Sequence, residues 1–211
     1  MRPKGPKPRQ SFVLCVMLCV VWVLMFSGCI PSTSAGKKYF QLYLPMVPVV
    51  ESGEKAAPTS TKILLVNTVE VEKIYNDYRV VYRVSPYQLN YYYYNYWIKK
   101  PEILVREAIV EYLSGINAFK QVTTGFSGGD PDLQLTAKVY ILEESDQGNS
   151  WFAHLKMDIV VRDFKSGQQV VFHSFDRQKQ IMQKKVERLP VLISKILKEE
   201  IDKMIGKLAV E

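Results

Sequence analysis

Beyond residue 29 the chain has no cysteine. Its three, Cys15, Cys19 and Cys29, fall within the first thirty residues. No disulfide can therefore staple the rest, which must hold together by packing. Histidine is scarce too. His154 and His173 are the only two; they can face each other across neighbouring strands, but with no cysteine and no placed carboxylate they make only a weak metal signal, and the favoured reading is two surface histidines. There is no Gly-rich phosphate loop and no Gly-x-Ser-x-Gly elbow. Ser127, between Phe126 and Gly128, has no base marked for it. Glu143 and Glu144 are adjacent at a strand end, where neighbours point to opposite faces, so the two do not readily work as a dyad. These absences leave no catalytic constellation and no cofactor.

Acidic residues are missing from the front of the chain. Arg2, Lys4, Lys7 and Arg9 come first with no acid among them, and Phe12 to Phe26 then runs 15 residues without a charge. Ser27 and Gly28 follow, small enough for a peptidase to seat the backbone, and then Cys29. A basic region, an apolar region and a small-residue cleavage site make an export signal, and a cysteine directly after the small pair makes it a lipoprotein signal. Cleavage between Gly28 and Cys29 would leave Cys29 as the acylated first residue. Phe26 departs from the usual lipobox, where Leu, Val or Ile is commoner. The competing reading is an uncleaved anchor, since the stretch to Ile30 reaches 19 residues, near the ~20 needed to span. Both readings export the remainder.

Removing residues 1–28 from 211 leaves 183, enough for one domain with a real core. The net charge of +7 loses four basic residues with the signal, leaving +3. That is an ordinary surface balance and not a polyanion-binding footprint, so no nucleic-acid partner is expected.

Ile30 to Lys37 is a small, polar tether, giving a signal over 1–28, a tether over 29–37 and a domain over 38–211. Lys38 to Leu44 alternates as a strand, with Tyr39, Gln41 and Tyr43 on one face. Prolines and Gly53 make 45–61 a loop. Strands are predicted over Lys62–Val71 and Arg79–Val84, with a short return strand over Tyr87–Tyr91. Pro101 opens a helix whose stripe is Ile103, Leu104, Ala108, Ile109, Tyr112 and Leu113, with Gly115 near a left-handed cap. After a short strand over Phe119–Thr123 come three long ones. Asp132–Glu144 places Leu133, Leu135, Ala137, Val139 and Ile141 on one face; Ser150–Asp163 and Gln168–Arg177 complete an antiparallel meander with one wet face. The last helix runs from about Lys185 to Ala209. The fold class is α+β: a mixed, mostly antiparallel sheet packed by two main helices in a two-layer sandwich.

The run Asn90-Tyr-Tyr-Tyr-Tyr-Asn-Tyr-Trp97 offers broad rings with polar handles, suited to half-wet interfaces. Either alternate rings are core and the others lie singly on the surface, or some of them meet a partner or another subunit. Stacking of single-stranded nucleic acid does not fit an exported chain of this charge.

At Asn76-Asp-Tyr-Arg-Val-Val-Tyr-Arg83 and the Trp97 that follows, the chain resembles the ABC-type transport auxiliary lipoproteins of Gram-negative bacteria, the family that includes the lipoprotein of the paraquat-inducible intermembrane transport system. The matching features are Cys29, Tyr39 to Leu42, Ile63 to Val69, Tyr78 to Arg83, Tyr91 to Trp97 and the helix after Pro101. Where the family often has Pro-x-Tyr before the basic strand, this chain has Lys73-Ile-Tyr75-Asn-Asp-Tyr78. The resemblance implies a non-enzymatic lipoprotein beside an ABC permease and ATPase or an MCE-domain protein that moves lipids or other hydrophobic solutes between membranes. It also implies membrane attachment through a lipid anchor and, in some members, assembly as a homo-oligomeric ring. Ile30-Pro31 lacks the Asp that retains lipoproteins in the inner membrane, so the outer membrane, facing the periplasm, is expected. Tyr92, Tyr94, Tyr96 and Trp97 are the expected partner contacts, with Arg79 and Arg83 as polar anchors. The alternatives are a carrier with an apolar pocket between sheet and helices and an envelope hydrolase, for which no nucleophile–base pair exists.

Overall fold

The computed structural model describes residues 36–45, 60–126 and 130–208. The expected signal, its cleavage site at Gly28 and Cys29, the tether up to 35, the loop residues 46–59, Ser127 and Ala209 lie outside the described residues. No helix among the described residues is long and apolar enough to cross a membrane.

The three long alternating runs become β6 (Leu133–Gln147), β7 (Ser150–Asp163) and β8 (Gln169–Ile181), an antiparallel meander. Its two turns use Gly148 at φ 72° and Gly167 at φ 70°, a left-handed conformation that glycine adopts without a Cβ penalty. The other edge of β6 is shared. Its first half pairs in parallel with β2 (Ile63–Val71), and Glu144 and Ser145 near its end pair with β3 (Arg79–Ser85). Beyond β3 lie antiparallel β4 (Gln88–Trp97) and then parallel β1 (Lys38–Phe40); beyond β2 lies parallel β5 (Gln121–Thr123). The result is one eight-stranded mixed sheet in which the longest ladders are antiparallel.

Two helices cover one face. α1 (Pro101–Gly115) starts on Pro101 and buries Leu104, Val105, Ala108, Ile109, Tyr112 and Leu113 against β2 and β5. Gly115 is its last helical residue, and the left-handed position falls on Asn117 at φ 51°. Asparagine tolerates that region better than most side chains, so the expected glycine cap is displaced by two residues. α2 (Arg188–Leu208) buries Leu189, Ile193, Ile196, Leu197, Ile201 and Met204 over β7 and β8. Tyr112 Oη donates to Asp202 Oδ1 at 2.5 Å, joining the helices. This is the α+β two-layer arrangement that the patterning predicts.

Three local expectations change. Leu133 to Val139 alternates as read, but a bulge at Tyr140 shifts the register, so Leu142 enters the core in place of Ile141. The first strand stops at Phe40; the chain continues extended, burying Leu42 and Leu44, while the Tyr43 N–H donates to Ser194 Oγ at 3.0 Å instead of to a neighbouring strand. The return strand is longer than expected and takes in the whole tyrosine run.

Candidate functional site

Arg79 pairs with Tyr96 and Val81 with Tyr91, so two residue steps on β3 face five on β4. The three surplus residues make a wide bulge around Tyr92–Asn95, of the kind that re-aims side chains and interrupts pairing. Tyr93 is 78% exposed and Tyr94 44%, their rings edge to face at 5.0 Å. On its outer side β4 pairs with β1 only over Asn95–Trp97, so among the described residues no strand covers Gln88–Tyr94. Tyr87, in the turn before β4, is almost wholly exposed.

The other expected contacts are engaged within the domain. Trp97 is 2% exposed and belongs to the core, so it cannot touch a partner; its backbone N–H donates to Tyr78 O at 2.6 Å. Tyr92 is half-buried, packs on Tyr82 at 4.6 Å and donates from Oη to Glu144 Oε1 at 2.8 Å. Tyr96 is half-buried, stacks on Tyr39 at 5.8 Å and donates to Tyr93 O at 3.0 Å. The Arg79 guanidinium holds Asp77 by two bonds of 3.0 Å and covers the Tyr91 ring at 4.0 Å. Tyr94 is the one of the six that presents a broad exposed ring, and its neighbour Tyr93 is more exposed still.

Arg83 belongs to a second, buried constellation. Glu143 is completely buried on the sheet face that the helices leave uncovered. Arg83 reaches it with Nε at 2.5 Å and Nη2 at 3.1 Å, Tyr75 Oη donates to it at 2.7 Å, and His154 Nδ1 lies 3.7 Å away. His154 Nε2 meets Asp176 at 2.6 Å, and Lys156 pairs with the same carboxylate at 3.3 Å. The groups are spent on one another, and together they fasten loop 72–78 to β3 and β6. Burial pushes the Glu143 carboxyl up, but His154, Arg83 and Tyr75 outweigh it and leave it low. Burial pushes Asp176 up as well, and His154 and Lys156 more than reverse that. For His154, burial works to lower the pKa while Glu143 and Asp176 raise it, with the rise prevailing. Tyr75 is raised by burial and by its bond to Glu143.

The signs define a pH window. The low carboxyls contribute stability above the ordinary carboxylate range, lost as pH falls through their folded values. The raised histidine contributes fully below about pH 6.5, and its contribution is lost as pH rises through its folded value. Denaturant midpoints measured from about pH 3 to 9 should therefore show a mildly acidic maximum. An alkaline decline unchanged in His154→Gln would reassign it to another group.

The two histidines do not face each other. His154 lies opposite Gln178, whereas His173 lies opposite Ile159 on the other face, where Glu200 holds it at 2.9 Å. Both are buried, which corrects the surface reading. Glu143 and Glu144 do point to opposite faces, one bound by Arg83 and the other by Tyr92.

The mixed sheet with both helices on one face, a buried charge lock and a displayed tyrosine edge define a small α+β domain. The sequence profile of the ABC-type transport auxiliary lipoprotein component matches residues 44–203. The chain belongs to that family. Among solved structures it is similar to a Xanthomonas campestris protein, with 14% identity, coverage of 82% of this chain and 95% of that one, and a TM-score of 0.66. A second structure, of an uncharacterized protein, has 17% identity, 82% and 99% coverage and a TM-score of 0.65. A hypothetical protein from Chlamydia trachomatis has 6% identity, 72% and 99% coverage and a TM-score of 0.50. At these identities the likeness speaks for the fold. Among curated proteins there is no significant match.

Proposed function

We propose that this chain is a non-catalytic docking subunit of an ABC-type intermembrane transport system of the MCE class, which moves lipids or other hydrophobic solutes. In this reading residues 1–28 are removed, Cys29 is acylated, and residues 29–37 tether the domain to the outer membrane, facing the periplasm. The observation that carries it is the unpaired edge of β4 with Tyr93 and Tyr94 lifted out on a bulge. A strand edge supplies backbone hydrogen bonds to an added segment, and exposed aromatics supply the desolvated contact area that dominates binding. The same edge would serve assembly of copies into a ring.

Tyr93→Ala with Tyr94→Ala should reduce recovery of the MCE-domain or permease partner from crosslinked envelopes by tenfold or more, the effect of losing at least one hot spot. The fold should remain, because exposed substitutions typically move stability within about 0.5 kcal/mol. Undiminished recovery would remove this edge from the interface. The anchor has its own test. The mature protein should begin at Cys29 with a diacylglyceryl mass, and Cys29→Ser should abolish that mass; a native chain beginning at Met1 would overturn the lipoprotein reading.

A further inference from the structure

The segment that enters the domain from the tether carries a second exposed apolar surface, which adjoins β4 through the Tyr39–Tyr96 contact. Along 39–44 the side chains alternate strictly: Phe40, Leu42 and Leu44 turn inward, and Tyr39, Gln41 and Tyr43 turn outward. The Tyr43–Ser194 bond lays this segment alongside the first half of α2. Between them runs a groove of about 550 Å³ whose lining includes Tyr43, Pro45, Pro190, Val191 and Lys195. Tyr39, Tyr43 and Val191 are 62%, 56% and 57% exposed. Val191 stands out on the helix, because Leu189, Ile193 and Ile196 beside it are buried.

We propose that the strip Tyr39–Tyr43–Pro45, with Pro190, Val191 and Lys195 of α2, is a bilayer-contact face that seats the domain on the membrane its own anchor enters. The proposal rests on the lipid-anchored reading of Cys29. Chain length argues for this occupant. Tyr39 is ten residues from Cys29, a fully extended reach of at most about 36 Å. Gly36, where the described chain begins, is seven residues from Cys29, which bounds the separation at about 25 Å. A link this short keeps the strip at about millimolar effective concentration against the lipid, so a contact too weak to recruit a free protein becomes populated. The chemistry also fits. Tyrosine, with an apolar ring and a polar tip, favours the headgroup level of a membrane. Lys195 is exposed, and Lys37 lies over the Tyr96 ring. Among the described residues neither lysine is in an ion pair, which leaves both ammonium groups for lipid phosphates. The remaining charges beside the groove are neutralised within the domain: Lys38 by Glu187, Lys198 by Asp202 and Glu199 by Lys179.

The full lipoprotein tests this. With Cys29 acylated, a cysteine placed by Val191→Cys is the only free thiol and takes an environment-sensitive fluorophore. Lys165→Cys, in the turn at the opposite end of β8, is the control. Both proteins are reconstituted in vesicles of phosphatidylethanolamine and phosphatidylglycerol that contain nitroxide-labelled lipid. At position 191 quenching should be at least twofold stronger than at 165, and adding Tyr43→Glu should remove the difference while the protein still floats with the vesicles. Equal quenching at both positions overturns the proposal and leaves the anchor standing. Fluorophore burial that grows with protein density but is blind to the nitroxide assigns the strip to a second copy and likewise overturns it. Failure of the unmodified lipoprotein to float removes the anchor, and the proposal with it.

Discussion

Trp97→Ala should cost about 3–5 kcal/mol of folding stability, the range for emptying a buried tryptophan site. The side chain is 2% exposed at the end of β4, where Phe40 pairs with it, and its removal opens a void in the core. A loss of that size is a large fraction of the 5–15 kcal/mol that holds a typical domain together. Far-UV circular dichroism in a denaturant series is the measurement of choice. The three tryptophans are Trp22, Trp97 and Trp151, so fluorescence of a chain shortened past residue 28 would lose one of only two reporters. A Trp97→Ala protein with an unchanged midpoint would contradict the core placement. The result also guards the docking test, because failure of this variant to recover a partner would reflect unfolding, whereas Tyr93→Ala with Tyr94→Ala reads the surface itself.

Arg83→Ala should be the next most damaging change. It leaves Glu143 fully buried with Tyr75 and a histidine at 3.7 Å as its remaining partners. Removing one member of a buried pair costs about 3–5 kcal/mol because the other charge stays behind. The Arg83 side chain is 25% exposed, so water screens part of its own contribution and the lower end of that range is expected. The diagnostic comparison is the double variant Arg83→Ala with Glu143→Gln. An amide has no charge to strand and still accepts from Tyr75, so the double variant should be more stable than Arg83→Ala alone. If the two are equally unstable, lost packing and not an orphaned carboxylate accounts for the effect. Hydrogen exchange in loop 72–78 should rise in Arg83→Ala, since Tyr75 loses one of its two polar partners.

What could be read from sequence follows the range of the forces involved. The meander and both helices were legible because each is written in local periodicity: Leu133, Leu135, Ala137 and Val139 alternate, and Leu104, Ala108, Ile109 and Tyr112 recur at helical spacing. The lipoprotein family was legible from the 62–113 stretch and is borne out by the matched profile. The bulge at Tyr140 was not legible, because it arises from pairing with β7 and has no signature in β6 itself. Nor was the β4 bulge, since consecutive tyrosines offer no alternation from which to read inside and outside. That is why Trp97 was grouped with the contact candidates and Tyr93 was not. The Glu143 lock depends on Arg83 and Tyr75, which lie 60 and 68 residues away. A glutamate directly after the apolar run Val139–Leu142 was its one sequence signal.

β6 has β2 and β3 along one edge and β7 along the other. β2 and β3 do not pair with each other, so the strands carrying the tyrosine edge meet the rest of the sheet through this one spine. A tug delivered at Tyr93 and Tyr94 reaches β7 and β8 through β6, and reaches α2 through β1 and its Lys38–Glu187 and Tyr43–Ser194 contacts.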